Sequence, residues 1–126
     1  MDVTPLVKQG AKIVQSYGGG VFKISGQAYQ GAVIVMPDQV LEWAAPSDIK
    51  DLNESHFTPL AGLELDVLLL GTGAKIAFSP PSLKTAVKAL GLPGFDAMDT
   101  GAACRTYNVL LAEGRRVAAL LMPVRG

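Results

Sequence analysis

The chain has 126 residues, a size typical of one domain, and 49% of them are hydrophobic, which is enough for a buried core and argues against disorder. Its 11 basic and 11 acidic residues give a formal net charge of zero, and without a cluster of Lys and Arg this argues against nucleic-acid binding. The longest apolar runs, Val67–Leu70 and Val117–Leu121, are too short to span a bilayer, so we expect no membrane insertion. The neutral charge also leaves little repulsion between copies, which favours a homo-oligomer.

The first half of the chain has the pattern of short strands separated by turns. We interpret residues 1–16 as an N-terminal extension and residues 17–126 as a single domain. Apolar or alternating runs after the Gly18-Gly19-Gly20 break predict three strands: Val21–Ile24, Ala32–Met36 and Val40–Trp43. Because turn residues separate these strands closely, we expect them to be antiparallel neighbours.

The second half alternates strands with helices. After a short helix capped by Ser47 or Asp48 and reaching Leu52, caps, prolines, glycines and apolar spacing predict five elements. These are a strand at Val67–Leu70, a helix from a Ser79 cap to Gly91, a strand at Phe95–Met98, a helix capped by Asp99 or Thr100 that ends at Gly114, and a strand at Val117–Leu121. This order builds a parallel sheet with right-handed crossovers. The predicted fold class is therefore α/β, with a mixed β-sheet whose N-terminal strands are antiparallel and whose C-terminal half is a parallel βαβαβ unit.

Two candidate binding segments follow the predicted parallel strands. Ligands of open α/β sheets gather beyond the carboxyl ends of such strands, where Gly71-Thr72-Gly73 and Asp99-Thr100-Gly101 fall. Spare backbone N–H groups there could bind an anion, although the glycines could equally serve a tight turn and Asp99 a helix cap. No Walker or dinucleotide loop fits, because no Gly-Lys-Ser or Gly-Lys-Thr follows the glycines at the required spacing and position 76 is Ile76.

The helix after Asp99 carries further candidates. Asn108 is a poor helix former beside the apolar face. It is either buried and hydrogen-bonded, for example to the Gly71-Thr72-Gly73 loop, or exposed at the edge of that face. The full set of candidates for binding a ligand or a partner is Gly71, Thr72, Gly73, Asp99, Thr100, Arg105, Tyr107, Asn108 and Arg115. Arg115 and Arg116 could instead complement the dipole at the end of the helix.

No catalytic constellation is visible in the sequence. Cys104 lies in the first turn of this helix beside Arg105, which would favour a thiolate, but nothing links it to His56, the only histidine. A small buried cysteine is the more common case, and the lone Trp43 is more often part of a core than an anchor for a partner. We therefore predict no catalytic residue, no metal site and no cofactor.

The expected compartment is the cytoplasm. A single cysteine cannot form an intramolecular disulfide, and the N-terminus shows no basic region followed by an apolar run of the kind found in secretory signals.

The segment 98–119, MDTGAACRTYNVLLAEGRRVAA, resembles the C-terminal signature of a small domain family of largely unknown function. That family includes the third assembly factor of mitochondrial respiratory complex I and the adipogenesis-associated Mth-type domain protein. Leu70-Gly71-Thr72-Gly73 resembles its Gly-Thr-Gly loop, and Gly20–Ile24, with Gly31, Pro37 and Trp43, is similar to its N-terminal half. The resemblance runs from about residue 17 to residue 123. It implies one α/β domain in three layers around a mixed sheet, and no established catalytic residue or cofactor.

Two functions compete at this stage. The resemblance and the missing catalytic constellation favour a non-enzymatic module that binds a protein partner, in the manner of an assembly factor for a respiratory or other multisubunit complex. The alternative is a small-ligand or anion-binding protein, or an enzyme, that uses the rim formed by Gly71-Thr72-Gly73 and Asp99-Thr100. The rim hypothesis requires a concave site with free N–H groups.

Overall fold

The computed structural model describes residues 10–125, which contain eight β-strands and two α-helices. The strands are β1 (Val14–Gly18), β2 (Val21–Ile24), β3 (Gln27–Gln30), β4 (Val33–Met36), β5 (Gln39–Glu42), β6 (Val67–Gly71), β7 (Phe95–Met98) and β8 (Val117–Leu121). The helices are α1 (Leu83–Lys88) and α2 (Thr100–Ala112), and two 3-10 helices cover Ile49–Asp51 and Glu54–Leu60. Residues 1–9 of the predicted N-terminal extension lie outside the described residues, and the boundary that we predict after residue 16 falls within β1.

The larger sheet has five strands in the order β5-β4-β8-β6-β7. Its centre is parallel, because Leu70 of β6 lies opposite both Ala97 of β7 and Leu120 of β8. β4 is antiparallel to β5 on one side and to β8 on the other, with Val33 opposite Leu121. The predicted mixed α/β fold with a parallel βαβαβ half is therefore confirmed. The carboxyl ends of β6, β7 and β8 lie together at one end of this sheet.

A second, smaller sheet contains β1, β2 and β3, all antiparallel. The sequence predicts β2, β4 and β5 as strands of one meander, but the structure pairs β2 with two strands that the sequence pattern did not predict. Positive φ angles at Gly26 and Gly31 turn the chain on both sides of β3, so that β3 folds back on β2 before the chain enters the larger sheet. β3 escaped prediction because its sequence, Gln27–Gln30, lacks an apolar alternation.

The domain has three layers, with the five-stranded sheet in the middle. Side chains alternate along its strands, so Leu68 and Leu70 pack on one face with α1 and the 3-10 helices, while Leu69 packs on the other face with α2, β1 and β2. All four residues of β4 are buried, as expected for a strand covered on both faces. The three layers implied by the family resemblance are present.

The helix ends show where local signals were sufficient. Asp99 caps α2 as predicted, because its Oδ1 accepts from the Ala102 N–H at 2.9 Å. α1, in contrast, begins at Leu83 and not next to the predicted Ser79 cap. Residues that precede a proline are disfavoured in the helical region, so the Pro80-Pro81 pair delays the first turn of α1. The helix predicted to reach Leu52 is the first 3-10 helix.

Candidate functional site

The two predicted rim segments meet at the carboxyl end of the large sheet. The Thr72 N–H donates to Met98 O at 2.9 Å, and the Thr100 N–H donates to Gly73 O at 2.8 Å. The Gly73 N–H in turn donates to Thr100 Oγ1 at 2.9 Å. Thus the loop after β6 is bonded directly to the start of α2, as the order of the strands leads one to expect.

Thr100 forms the centre of this junction and is completely buried. Its hydroxyl accepts from Gly73 and donates to Met122 O at 2.6 Å, so it ties together the ends of β6 and β8 and the start of α2. A Cβ atom added to Gly71 would lie 2.9 Å from Thr100 Oγ1. The first glycine of the loop is therefore required by the close approach of α2.

The rim groups satisfy one another inside the protein. The N–H groups of Thr72 and Gly73 have internal acceptors, and Thr72 Oγ1 accepts from the Ala77 N–H and donates to Lys75 O. The carboxylate of Asp99 is used by the helix cap. The geometry therefore corresponds to the turn-and-cap interpretation of these segments, and it offers no free N–H of Thr72 or Gly73 to an anion.

Tyr107 and Asn108 hold the first strand against α2. The side-chain amide of Asn108, which is 6% exposed, accepts from the Val14 N–H at 3.1 Å and donates to Val14 O at 2.8 Å. The Tyr107 hydroxyl donates to Lys12 O at 2.8 Å, and burial raises the pKa of that hydroxyl. Asn108 is thus buried and hydrogen-bonded. Its partner is β1, whereas the sequence suggested the Gly71-Thr72-Gly73 loop as an example of a partner.

Cys104 has the environment of a structural cysteine. It is buried on the inner face of α2, and this burial raises the pKa of the thiol to about 12 even though Arg105 acts in the opposite direction. A buried thiol with a raised pKa favours the small buried cysteine over the thiolate that Arg105 alone would favour. Arg105 itself is exposed, with its guanidinium near Gly101.

Arg115 lies at the opposite end of the sheet from the rim. It lines a groove of about 670 Å³ together with Met36, Pro37, Leu63 and Arg116, among other residues. The rim candidates and Arg115 therefore do not belong to one site. Arg115 and Arg116 follow the end of α2, and Arg116 is engaged in ion pairs with Asp66 at 2.8 Å and with Glu64 at 2.9 Å.

The Arg116–Asp66 pair has a measurable signature. The hydrogen bonds from Arg116 lower the pKa of the Asp66 carboxyl from 3.8 to about 2. Because the folded pKa is the lower one, the pair contributes stability above pH 3.8, and this contribution is lost as the pH falls through 2. We expect an NMR titration of Asp66 to have its midpoint near pH 2 and the Arg116→Gln variant to return it toward 3.8. Arg115→Gln is the matched control with a much smaller change, and a midpoint of 3.8 in the unsubstituted protein would contradict the pairing.

The remaining polar candidates are structural. His56 Nδ1 accepts from the Asn53 N–H at 3.0 Å and caps the second 3-10 helix, while Trp43 is buried and donates through Nε1 to His56 O at 2.8 Å. Within residues 10–125, no group of three or more His, Cys, Asp or Glu side chains is placed to hold a metal ion. In the same range, no helix has the length and apolar character needed to cross a bilayer.

The most prominent exposed feature is a surface that sequence reasoning missed. Phe78 is 85% exposed and Ile76 is 57% exposed, both in the connection between β6 and α1. A cleft of about 460 Å³ separates this connection from β7, and its walls are Ile76, Ala77, Phe78, Ser79, Pro80, Pro81, Lys84, Phe95, Asp96 and Ala97. We call this region the open-edge surface, because β7 is the last strand of the sheet.

The sequence carried only a weak signal for the open-edge surface. Phe78 lies between the Gly71-Thr72-Gly73 turn and the Pro80-Pro81 pair, outside any helical or alternating pattern. An aromatic residue in such a segment can be buried under a neighbouring element as easily as exposed, and only the packing distinguishes the two cases.

Fold and site together define a class: a three-layer α/β domain whose Gly-Thr-Gly rim is internally bonded and whose exposed apolar side chains lie at a sheet edge. Residues 14–122 match the family described as Protein of unknown function (DUF498/DUF598), and the chain belongs to this family.

Three similar proteins illustrate the family. An uncharacterised protein of Rhodobacter capsulatus is 39% identical over 93% of this chain and 89% of its own length. The mouse protein named NADH dehydrogenase [ubiquinone] 1 alpha subcomplex assembly factor 3 is 31% identical over 92% of this chain, which spans only 63% of that protein. A solved Bordetella pertussis structure described as a Mth938-like domain is 30% identical with a TM-score of 0.75, covering 98% of this chain and 92% of that chain. These matches confirm the family resemblance and the fold.

Proposed function

We propose that this domain is a protein-binding module of the assembly-factor kind and that it holds its partner at the open-edge surface. The observation that carries the proposal is the exposure of Phe78 at 85% beside Ile76, which is 57% exposed. Contiguous apolar side chains at the rim of a cleft are typical of protein interaction sites, whereas single exposed apolar residues are not.

The energetics favour burial of this surface by a partner. Covering a side chain of the size of Phe contributes about 1.5–3 kcal/mol, and aromatic residues are favoured among the few that dominate binding energy. Val109, also 57% exposed, lies on α2 and does not line the cleft, so it is a scattered surface residue of the ordinary kind.

The similarity to the mouse assembly factor supports a partner that belongs to a multisubunit complex. The alignment covers 92% of this chain, so the domain described here corresponds to the shared part of the two proteins. The alignment covers only 63% of the mouse protein, so the role of that whole protein does not transfer to this chain by similarity alone. A role in a respiratory or other multisubunit complex is therefore part of the proposal. The rim hypothesis gains no such support, because the N–H groups of Thr72, Gly73 and Thr100 are already bonded inside the protein. Self-association and a cytoplasmic location stay predictions.

A capture experiment tests the proposal. Tagged wild-type domain, Phe78→Ser and Val109→Ser are used as baits in native cell extract, and bound proteins are quantified by mass spectrometry. We expect at least one protein to be retained by the wild type and by Val109→Ser and to be lost with Phe78→Ser, because of the two substituted residues Phe78 belongs to the open-edge surface and Val109 does not. Equal retention by all three baits, or no protein above background, would refute the proposed site.

A further inference from the structure

We propose that the partner supplies an extended segment, apolar and acidic in character, that adds to β7 as a further strand of the five-stranded sheet. This inference rests on the proposed function and names the binding mode of the same surface. It follows from three observations: the unpaired edge of β7, the cleft beside it and the charges around it.

The backbone of β7 has a hydrogen-bonded neighbour on one side only. Within the described residues β7 pairs with β6 alone, and Met98 O accepts from the Thr72 N–H on that side. Backbone groups alternate in direction along a strand, so the N–H and C=O of Phe95 and Ala97 point to the open edge. A row of such groups is a template for pairing with another chain.

The cleft gives an added strand a place for its side chains. The gap is lined on one side by the connection between β6 and α1, including Phe78, Pro80 and Pro81, and on the other side by residues of β7, including Phe95 and Ala97. The two prolines have fixed φ angles, which restricts the conformational freedom of this wall. A strand that pairs with β7 would place alternate side chains in the cleft, against Phe78 and the rest of the connection between β6 and α1.

The charges at this edge select an acidic segment. Lys84 lies with its Nζ 5.5 Å from the Phe95 ring centroid, Lys88 contacts Gly94 just before β7, and Lys75 precedes Ile76. The charged residues that line the cleft itself are Lys84 and Asp96, so the positive excess at this edge comes from Lys75 and Lys88 beside it. A second copy of this chain paired through β7 would bring the lysines of both copies together, so charge complementarity favours a different polypeptide that carries Asp or Glu.

A bilayer would use this surface less completely. An anionic membrane could accept the protruding Phe78 and the lysines, but it cannot enter the cleft or satisfy the outward groups of Phe95 and Ala97. The concave shape and the unpaired backbone therefore favour an extended peptide, and lipid binding becomes an outcome of the test.

The probe is a peptide selected on the wild-type domain from a phage library of random segments of about ten residues, the upper end of usual strand lengths. We expect the selected sequences to alternate apolar residues with Asp or Glu. The synthetic peptide is compared with a copy whose alternate backbone N–H groups are methylated, which leaves the domain untouched. Methylation is expected to weaken binding by at least about tenfold, equivalent to about 1.4 kcal/mol, and hydrogen exchange should show that the Ala97 amide becomes protected on binding.

The matched variants of the domain are Ala97→Pro and Ala97→Ser. Proline removes the outward N–H of residue 97 while the bonds of Asp96 and Met98 to β6 remain, whereas serine keeps the N–H. We expect Ala97→Pro to lose binding and Ala97→Ser to retain it. Lys84→Glu should weaken the acidic peptide, with the exposed Lys23→Glu on β2 as its control.

Three results would overturn strand addition. The first is a selected peptide whose binding changes neither on methylation nor with Ala97→Pro. The second is a selection that enriches no peptide, together with binding of phosphatidylserine vesicles that depends on Phe78. The third is a dimer of the domain that dissociates in the Ala97→Pro variant. The proposed function is tested separately from all three. It stands if the Phe78→Ser bait no longer retains the protein captured by the wild type, and it fails if that bait retains the protein.

Discussion

Replacing Asn108 by alanine is expected to lower the free energy of unfolding by about 2–4 kcal/mol, a large part of the stability of a domain of this size. The backbone of Val14 points away from β2, and its N–H and C=O both bond to the Asn108 amide, so this side chain acts as a strand-like neighbour for the edge of β1. Alanine leaves two buried backbone groups without a partner, each at a cost of roughly 1–3 kcal/mol. Chemical denaturation measures the loss.

Val109→Ala is the control for this substitution. It changes the next residue of α2, which is exposed, and a better helix former should leave stability unchanged or slightly higher. Hydrogen exchange separates a local from a general effect, because the amides of β1 and β2 should lose protection first in Asn108→Ala. A stability within about 0.5 kcal/mol of wild type would show that β1 does not depend on Asn108.

The same contact explains why β1 was not predicted from the sequence. Gln15 and Ser16 are exposed, and the strand depends on a hydrogen bond between residues that are 94 positions apart. Local pattern cannot reveal such an anchor. It did reveal that Asn108 was anomalous in its helix, and a polar residue beside an apolar face had to be either exposed or bonded.

The parallel half could be predicted well because its signals are local. β7 and β8 have the predicted bounds, since short apolar runs there end at Asp99 and at Pro123, and β6 extends the predicted run by Gly71 alone. The order of these strands also implied that the loops after β6 and β7 would meet.

What the sequence could not supply was how the groups at these positions are used. The meeting of Gly73 with Thr100 is compatible with a ligand site or with an internal junction, and only the hydrogen bonds decide between them. Phe78 is the converse case, because its residue type favours burial and the fold leaves it exposed.

Substituting Gly71 by alanine is expected to lower the free energy of unfolding by about 1–3 kcal/mol, the usual cost of overpacking a tight interior. The added Cβ would lie 2.9 Å from Thr100 Oγ1, 3.0 Å from Thr100 Cα and 3.1 Å from Leu121 Cδ2. Thr100 cannot move aside cheaply, because its hydroxyl and its N–H are bonded to Met122 and Gly73. Thermal or chemical denaturation measures the effect.

Gly94→Ala is the matched control, since its Cβ would also approach another atom at 3.0 Å, but that atom is Cε of the flexible Lys88 side chain. The lysine can swing away, and the reduced freedom of the unfolded chain offsets what strain remains, so the change should be within about 1 kcal/mol of wild type. Equal losses of stability in the two variants would mean that the contact between α2 and β6 adjusts to an added methyl group as easily as the Lys88 side chain does. A loss confined to Gly71→Ala would show that the first glycine of the Gly-Thr-Gly loop is needed for the close packing of α2 against β6.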